Sequence, residues 1–282
     1  MPDEPLIGAS WRTDLFDVPA YLDAVGVASG EPTLDLLGDL HVAHVRTFPF
    51  ANVDVLLGTH PGVTPDAVQD QLVRRRRGGY CFEHAQIFAA ALEHLGFTIR
   101  RNLGRVHELT NTRTHMTVTV EIDGRRWLCD PGFGFSITGP IALEHGAVHV
   151  DGDREFVLEE TTDDATTVWA LTRGGKAEHY VDTAPVHPSD VRTGHFVTSR
   201  EPHSPFRQHL MVMRHLPHAH VTVTEGARTV RAPGCETEHV TLSVAEAVDA
   251  VQELGVELGP GEDAVLAKVL AGLRDRASRR ND

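Results

Sequence analysis

Three residues whose types cooperate in nucleophilic catalysis fall in the first half of the chain: Cys81, His115 and Asp130. The last two are linked by a turn. Asp123-Gly124, set between β-branched runs, is a two-residue type I′ hairpin signal. Ile122 then pairs with Arg125, and pairing runs outward one residue at a time. On that register Asp130 stands opposite Thr117, and His115, two residues along, points to the same face. Such a diagonal neighbour lies roughly 7–8 Å away at most, within reach of long side chains. The turn alone therefore predicts a carboxylate that can fix the tautomer and orientation of an imidazole. Cys81 supplies a nucleophile. Its thiol, ordinarily near pKa ~8.5, is lowered by a helix N-terminus and a neighbouring imidazolium, and both are expected here. Gly78 and Gly79 remove side chains just before it, so a substrate can approach closely. A thiolate attacks thioesters readily, and an acyl-cysteine keeps thioester reactivity.

Taken singly, each residue has a bland reading. A lone cysteine is more often a small buried hydrophobe, and a strand histidine a satisfied polar group. Their conjunction with an aspartate placed by an independent turn signal is what favours catalysis over these readings. Cys129 points to the opposite face of its strand and reads as core. Cys235, in Ala-Pro-Gly-Cys, reads as loop. The 18 histidines are scattered, and neither the His41/His44 pair nor His215, His218 and His220 has carboxylate or cysteine partners at metal-ligand spacing, so no metal is expected.

The elements that must position these residues are legible. Asp17 and Thr33 are N-cap candidates before helices carrying Tyr21, Leu22 and Val25, and Leu34, Leu37, Leu40 and Val45. Thr64-Pro65-Asp66 starts a third helix, expected to stop at Gly78-Gly79. Phe82, Ala85, Phe88, Leu92 and Leu95 give a fourth, with Cys81 at its N-terminal end and Gly96 as its stop. From residue 97 the pattern turns to strands: 116–122, 126–130, 155–160, 166–172 and 177–182, a small antiparallel barrel or curled sheet. Residues 185–205 read as a connector with room for one short helix. Strands near 208–214 and 219–224 follow, then helices at 244–254 and 262–279, the first opened by a Ser243/Glu246 capping box. The fold class is α+β: a helical bundle over 1–96, a β-barrel over 97–184, the connector over 185–205, and an α/β lid over 206–282.

With 282 residues the chain can bury a core without disulfides. Its net charge of −14 argues against nucleic acid and anionic membranes as partners. Arg74–Arg77 is the local exception, read first as a solvated helix end and, more sharply, as a source of one or two arginines that organise the site. Three cysteines are no disulfide framework and point to a reducing cytoplasm. The opening decapeptide lacks the basic start and apolar run of a signal peptide, and no apolar run reaches membrane-spanning length.

The string Arg77-Gly-Gly-Tyr-Cys-Phe-Glu83 resembles the active-site motif of the arylamine N-acetyltransferase family. Four further segments match in order: Phe48-Pro-Phe-Ala-Asn-Val-Asp-Val-Leu-Leu-Gly58, Thr114-His-Met, Asp130-Pro-Gly-Phe-Gly134 and Ser204-Pro-Phe206. The resemblance implies a helical first domain, a β-barrel second domain and an α/β lid around a core like that of cysteine proteases. It implies transfer of an acetyl group from acetyl-CoA to an arylamine, hydrazine or other amine by a two-step acyl-cysteine mechanism. The Cys–His–Asp triad carries over onto Cys81, His115 and Asp130, and the acyl-donor cleft onto Phe133, Gly134 and Phe206. Three positions depart from the family pattern. Ala85 replaces an asparagine. Ala51 replaces a glutamate that pairs with the arginine at 77, so Arg77 needs another partner or is mobile. Phe135 replaces a glycine, and its ring is expected to narrow the coenzyme cleft. These departures keep an alternative open: a biosynthetic amide synthase taking a longer acyl chain from CoA or a carrier protein to form an amide or macrolactam. A silent binding protein would have no need of all three triad residues, and a cysteine protease is the weakest reading.

Overall fold

The computed structural model describes residues 11–135 and 137–281, so the decapeptide read for a signal lies outside the described residues. The N-terminal part holds helices α1 (Val18–Val25) and α2 (Leu34–Thr47), a short strand β1 (Phe50–Ala51), then α3 (Val53–Leu57), α4 (Pro65–Gln69) and α5 (Cys81–His94). Eight strands follow: β2 (Thr98–Val106), β3 (Arg113–Ile122), β4 (Arg125–Cys129), β5 (Ile141–Ala142), β6 (Ala147–Asp151), β7 (Arg154–Asp163), β8 (Thr166–Arg173) and β9 (Lys176–Asp182). The chain closes with α6 (Pro188–Arg200), α7 (Pro205–Gln208), strands β10 (Val212–Leu216), β11 (Ala219–Val223), β12 (Ala227–Arg231) and β13 (Glu238–Thr241), and helices α8 (Val244–Glu253) and α9 (Glu262–Asn281).

The caps act much as their residue types dictate. Asp17 accepts from the Ala20 amide and Thr33 from the Leu36 amide. Ser243 and Glu246 form the reciprocal capping box. Thr64 makes no side-chain cap bond; Pro65 at the first position opens α4 without it. That helix does not run to Gly78. It continues as a single π turn over Asp70–Arg74, and Arg76 leaves in the left-handed region at φ 48°.

Helix α5 is buried all round from Cys81 through Leu92, and the polar side chains it buries there, Glu83, His84 and Gln86, hydrogen-bond backbone groups at its start or nearby. It packs against α1, α4, β2 and β3. Each of Phe82, Ile87, Phe88 and Leu92, 0% exposed, contributes about 1.5–3 kcal/mol by leaving water. Truncating Phe88 to alanine would cost about 3–5 kcal/mol.

The eight strands form one antiparallel sheet in the order β5-β4-β3-β2-β9-β8-β7-β6, a near-barrel. The β3–β4 hairpin has the register that its turn demands, from Ile122↔Arg125 to Val118↔Cys129, with Asp123 and Gly124 both at positive φ. Cys129 is buried in the core and Cys235 is exposed.

The second sheet runs β1-β10-β11-β12-β13. Its first strand comes from the N-terminal part, with Phe50 paired to Met213 and Ala51 to Val212. Leu210, Val212, Val221 and Val223 pack with Ala247, Val251, Leu266 and Leu270 of α8 and α9 to make a separate core. Asn52 locks the seam: its Nδ2 donates to Phe206 O and His209 O at 2.7 Å, and its Oδ1 accepts from Met211 N at 2.8 Å. Among the described residues no helix is long and apolar enough to cross a membrane.

Candidate active site

Cys81 is the first residue of α5, with the helix dipole behind it. Two backbone features hold it there. Gly78 lies at φ 69°, and a Cβ on it would sit 2.5 Å from Pro49 O, so no other residue fits under the Phe48–Ala51 segment. Glu83 reaches back so that its Oε2 accepts from Tyr80 N at 3.1 Å, closing the first turn. The Cys81 thiol donates to Thr114 O at 3.3 Å. The sulfur therefore lies against the peptide that leads into His115.

His115 and Asp130 meet across the hairpin, Nε2 to Oδ1 at 3.1 Å, both essentially buried. A proton on Nε2 facing the carboxylate leaves Nδ1 as the basic nitrogen. Asp130 has a further partner that the sequence did not reveal. His179 on β9 donates from Nε2 to Oδ2 at 2.9 Å. One carboxylate thus holds two imidazoles, whose rings lie 4.5 Å apart. Phe133 covers both, with its ring edge-on at 5.0 Å from His115 and 5.4 Å from His179. The loop from Asp130 rests on α5 at Gly132, where a Cβ would come within 2.7 Å of Cys81 Cα.

The electrostatics divide along this line. Burial opposes the charge on Asp130, but the charges and hydrogen bonds of His115 and His179 outweigh it and hold the carboxyl well below its usual range. Burial pushes the Cys81 thiol up, and Glu83 and Asp130 push the same way. The sequence led us to expect a thiol lowered by the helix and the imidazole. In this buried setting the sulfur can ionise only if its proton stays next to it, on an imidazole that Asp130 stabilises.

A second chain of polar groups supports the helix start. His84 Nε2 lies 3.2 Å from Gly79 O, His44 Nε2 lies 2.8 Å from His84 Nδ1, and Tyr21 Oη lies 2.9 Å from His44 Nδ1. Only one proton arrangement satisfies all three bonds: Tyr21 donates to His44, His44 to His84, and His84 to the Gly79 carbonyl. Burial lowers the pKa of His84 to about 4 and keeps the chain neutral. His41, half of the helical pair seen in the sequence, instead packs its ring 5.5 Å from Phe88.

Arg77 settles the question raised by Ala51. Its Nε donates to Asp54 Oδ1 at 3.0 Å, and its Nη2 pairs with the same oxygen. Its Nη1 meets Glu262 Oε2 at 2.6 Å and Glu257 O at 2.7 Å. Arg77 is 3% exposed and ties the segment before Cys81 to α9. Arg74, Arg75 and Arg76 pair with Asp66, Asp70, Asp54 and Glu257 and are the more solvated members of the run.

Phe206 lies 5.0 Å from Tyr80 and 6.0 Å from Phe50, ring to ring. Gly134 is packed against Phe50 and Met213, and its carbonyl accepts from His220 Nε2 at 2.8 Å. Ala85 is fully buried inside α5. Phe135 has its ring 4.3 Å from that of His220 and beneath three guanidinium groups.

Two His–carboxylate triples, His60/Glu83/His195 and His115/Asp130/His179, bring donor atoms close enough together to hold a metal ion. In both the carboxylate already engages imidazole. Asp130 takes two, and Glu83 meets His60 Nε2 at 2.8 Å while His195 takes the Tyr80 hydroxyl at 2.6 Å.

The N-acetyltransferase family model matches residues 33–259. The chain is 35% identical over 267 residues to the arylamine N-acetyltransferase of Mycolicibacterium smegmatis, covering 86% of this chain and 93% of that one. It is 36% identical over 190 residues to that of Escherichia coli K12, covering 65% and 67%. Its fold superposes on the Mycobacterium abscessus arylamine N-acetyltransferase with a TM-score of 0.86 at 29% identity, covering 96% and 99% of the two chains. The Mycobacterium marinum enzyme, solved in complex with CoA, superposes with a TM-score of 0.79 at 29% identity, covering 92% and 99%. A buried Cys–His–Asp arrangement on this fold, with a family match across most of the chain, places the protein in the arylamine N-acetyltransferase family of cysteine-dependent acetyltransferases.

Proposed function

We propose that the chain transfers an acetyl group from acetyl-CoA to an arylamine or hydrazine, with Cys81 as nucleophile, His115 as general base and acid, and Asp130 as the carboxylate that orients it. The observation that carries this reading is the Asp130 carboxylate, which holds His115 by Nε2 while the Cys81 thiol lies on the Thr114 carbonyl next door. His115 Nδ1 takes the thiol proton as sulfur attacks the thioester carbonyl. The tetrahedral intermediate collapses with cleavage of the C–S bond to CoA, and the CoA thiolate leaves with the proton from His115. The amine then attacks the acyl-cysteine, His115 takes a proton from the amine nitrogen, and Cys81 is released as the thiol. The N-terminus of α5 favours the negative charge that develops on sulfur and on the carbonyl oxygen. Phe133, Gly134 and Phe206 are assigned to the donor side of the site on the strength of the family motifs. Nothing in this chemistry calls for a metal.

A biosynthetic amide synthase with a longer acyl donor, CoA-bound or carrier-protein-bound, is the second reading. Of the three departures that suggested it, Ala51 no longer weighs in its favour, because Asp54 supplies the carboxylate for Arg77. Steady-state turnover with acetyl-CoA and a panel of arylamines and hydrazines, followed as released CoA thiol and acetylated product, tests the assignment. Wild type should turn over, and Cys81→Ser should not. Turnover only with long-chain thioesters would favour the second reading.

A further inference from the structure

A cavity of about 600 Å³ opens at the seam between the near-barrel and the C-terminal sheet. Its walls carry Arg46, Arg154, Arg173 and Arg231, together with His215 and His220. In a chain of net charge −14, such a concentration of cationic side chains in one cavity is out of character. Three of the guanidiniums converge on a single ring. The Cζ atoms of Arg154, Arg173 and Arg231 lie 4.6, 4.8 and 5.1 Å from the centroid of Phe135. All three sit within about one Debye length of one another (~8 Å at physiological salt), so their mutual repulsion is only partly screened. Phe135 offers each a cation–π contact and so works as the platform that gathers them.

Carboxylates offset part of this charge. Arg154 pairs with Asp151, and Arg173 with Glu178 at 2.6 Å. Asp153 and Glu155 stand on the same wall. Arg231, at the end of β12, meets no carboxylate among the described residues; its Nη1 donates to Thr222 Oγ1 at 3.3 Å. Burial, followed by repulsion from Arg173 and Arg231, lowers the pKa of Arg154 to about 10. A bound anion would relieve that repulsion, and planar guanidinium forks match phosphate oxygens.

We propose that this cavity is a ligand site for a phosphate-bearing anion, seated on Arg173 and Arg231 with Arg154 behind them and Phe135 as their common support. The site is separate from the Cys81 sulfur but touches the Asp130 loop through the bond from His220 to Gly134 O. The anion can be the nucleotide end of a CoA donor or an independent phosphorylated small molecule, and the two sources are separable by competition.

The test is isothermal titration of the full-length protein with inorganic pyrophosphate. Saturable binding is expected, weakened about 10–100-fold in Arg231→Ala and again in Arg173→Ala, the loss expected for a charged hydrogen-bonding partner. Arg231→Lys should keep part of the affinity. Thermal melts of each variant exclude unfolding as the cause. Phe135→Leu should weaken binding less than Phe135→Gly, which removes the platform. Competition with 3′,5′-ADP and then with CoA identifies the source. Displacement of pyrophosphate by both assigns the site to the donor's nucleotide end. Simultaneous binding of CoA and pyrophosphate assigns it to a separate ligand. Absence of pyrophosphate binding, or binding unchanged in the Arg173→Ala/Arg231→Ala double variant, overturns the proposal. Acylation of Cys81, read by mass on the same samples, keeps that outcome distinct from a failure of the acyltransfer reading.

Discussion

Replacing Asp130 with asparagine changes almost no volume but removes a charge and an acceptor. In the native site Oδ2 accepts from His179 Nε2 at 2.9 Å, and Oδ1 lies 3.1 Å from His115 Nε2 as its ion-pair partner. An amide has one accepting oxygen and one donating nitrogen. One imidazole must therefore face an N–H and move its own proton to Nδ1. If that ring is His115, the nitrogen meant for the Cys81 proton is already occupied. If it is His179, His115 keeps its tautomer but loses the negative charge that balances its imidazolium. With charge centres about 4 Å apart and an effective dielectric near 20, that loss is about 4 kcal/mol, or roughly 10³ in rate. Tautomer selection adds to it, and a loss of about 10⁴ has precedent for the same substitution in another triad. The assay is single-turnover acylation of Cys81 by acetyl-CoA, quenched and read by intact mass, beside the pH profile of thiol alkylation. The variant should acylate about 10³–10⁴-fold more slowly, and its apparent thiol pKa should rise. Acylation within about tenfold of wild type, with an unshifted alkylation profile and an intact fold, would mean that Asp130 only caps the Gly132–Gly134 loop.

Three further outcomes follow from the same geometry. Burial holds both His41 and His84 at a pKa of about 4, so the unfolded chain takes up their protons first and stability rises with pH. Unfolding free energy should therefore fall by about 1.4 kcal/mol per pH unit for each as pH drops from ~6.5 toward 4, and urea midpoints that stay flat across that window would contradict it. His179→Phe removes one hydrogen-bond donor from Asp130 and should cost about 1–3 kcal/mol and slow acylation; His179→Gln, which can still donate, should recover much of the rate, and equal loss in both would reduce His179 to packing. Arg77→Ala leaves the buried Asp54 with only the longer 3.8 Å contact to the half-exposed Arg75, a loss of about 3 kcal/mol in urea unfolding, and a loss below 1 kcal/mol would show that the pair is solvated.

Legibility in the sequence followed the range of the interactions. The His115–Asp130 contact was readable because a two-residue turn fixes register locally, and no other element has to be placed first. His179 was not readable, because its approach to Asp130 depends on β9 pairing with β2, across some seventy residues of chain. Asp54 was likewise hidden as the partner of Arg77, since the two meet only where the segment before α3 bridges to Gly79, across some twenty-three residues of chain. Helix α6 has a proline at its first position and an Asp190 cap, yet the residues it buries are Val191, Gly194, Thr198 and Ser199. A stripe of small and hydroxyl side chains does not register as apolar periodicity, so the segment read as a connector. Strands β12 and β13 are half-buried or exposed along their length and show no alternation that marks a strand. Phe135 stood out in the sequence as an odd residue in the aspartate loop. The guanidiniums around it come from β7, β8 and β12 and appear only in three dimensions.

The most direct test of the central claim is incubation with acetyl-CoA in the absence of any amine, followed by intact-mass and peptide-level analysis. One acetyl group per chain is expected, carried on Cys81, discharged when an arylamine is added and absent from Cys81→Ala. An adduct that persists in Cys81→Ala, or a wild-type chain that turns over amine without ever carrying acetyl on Cys81, would contradict it.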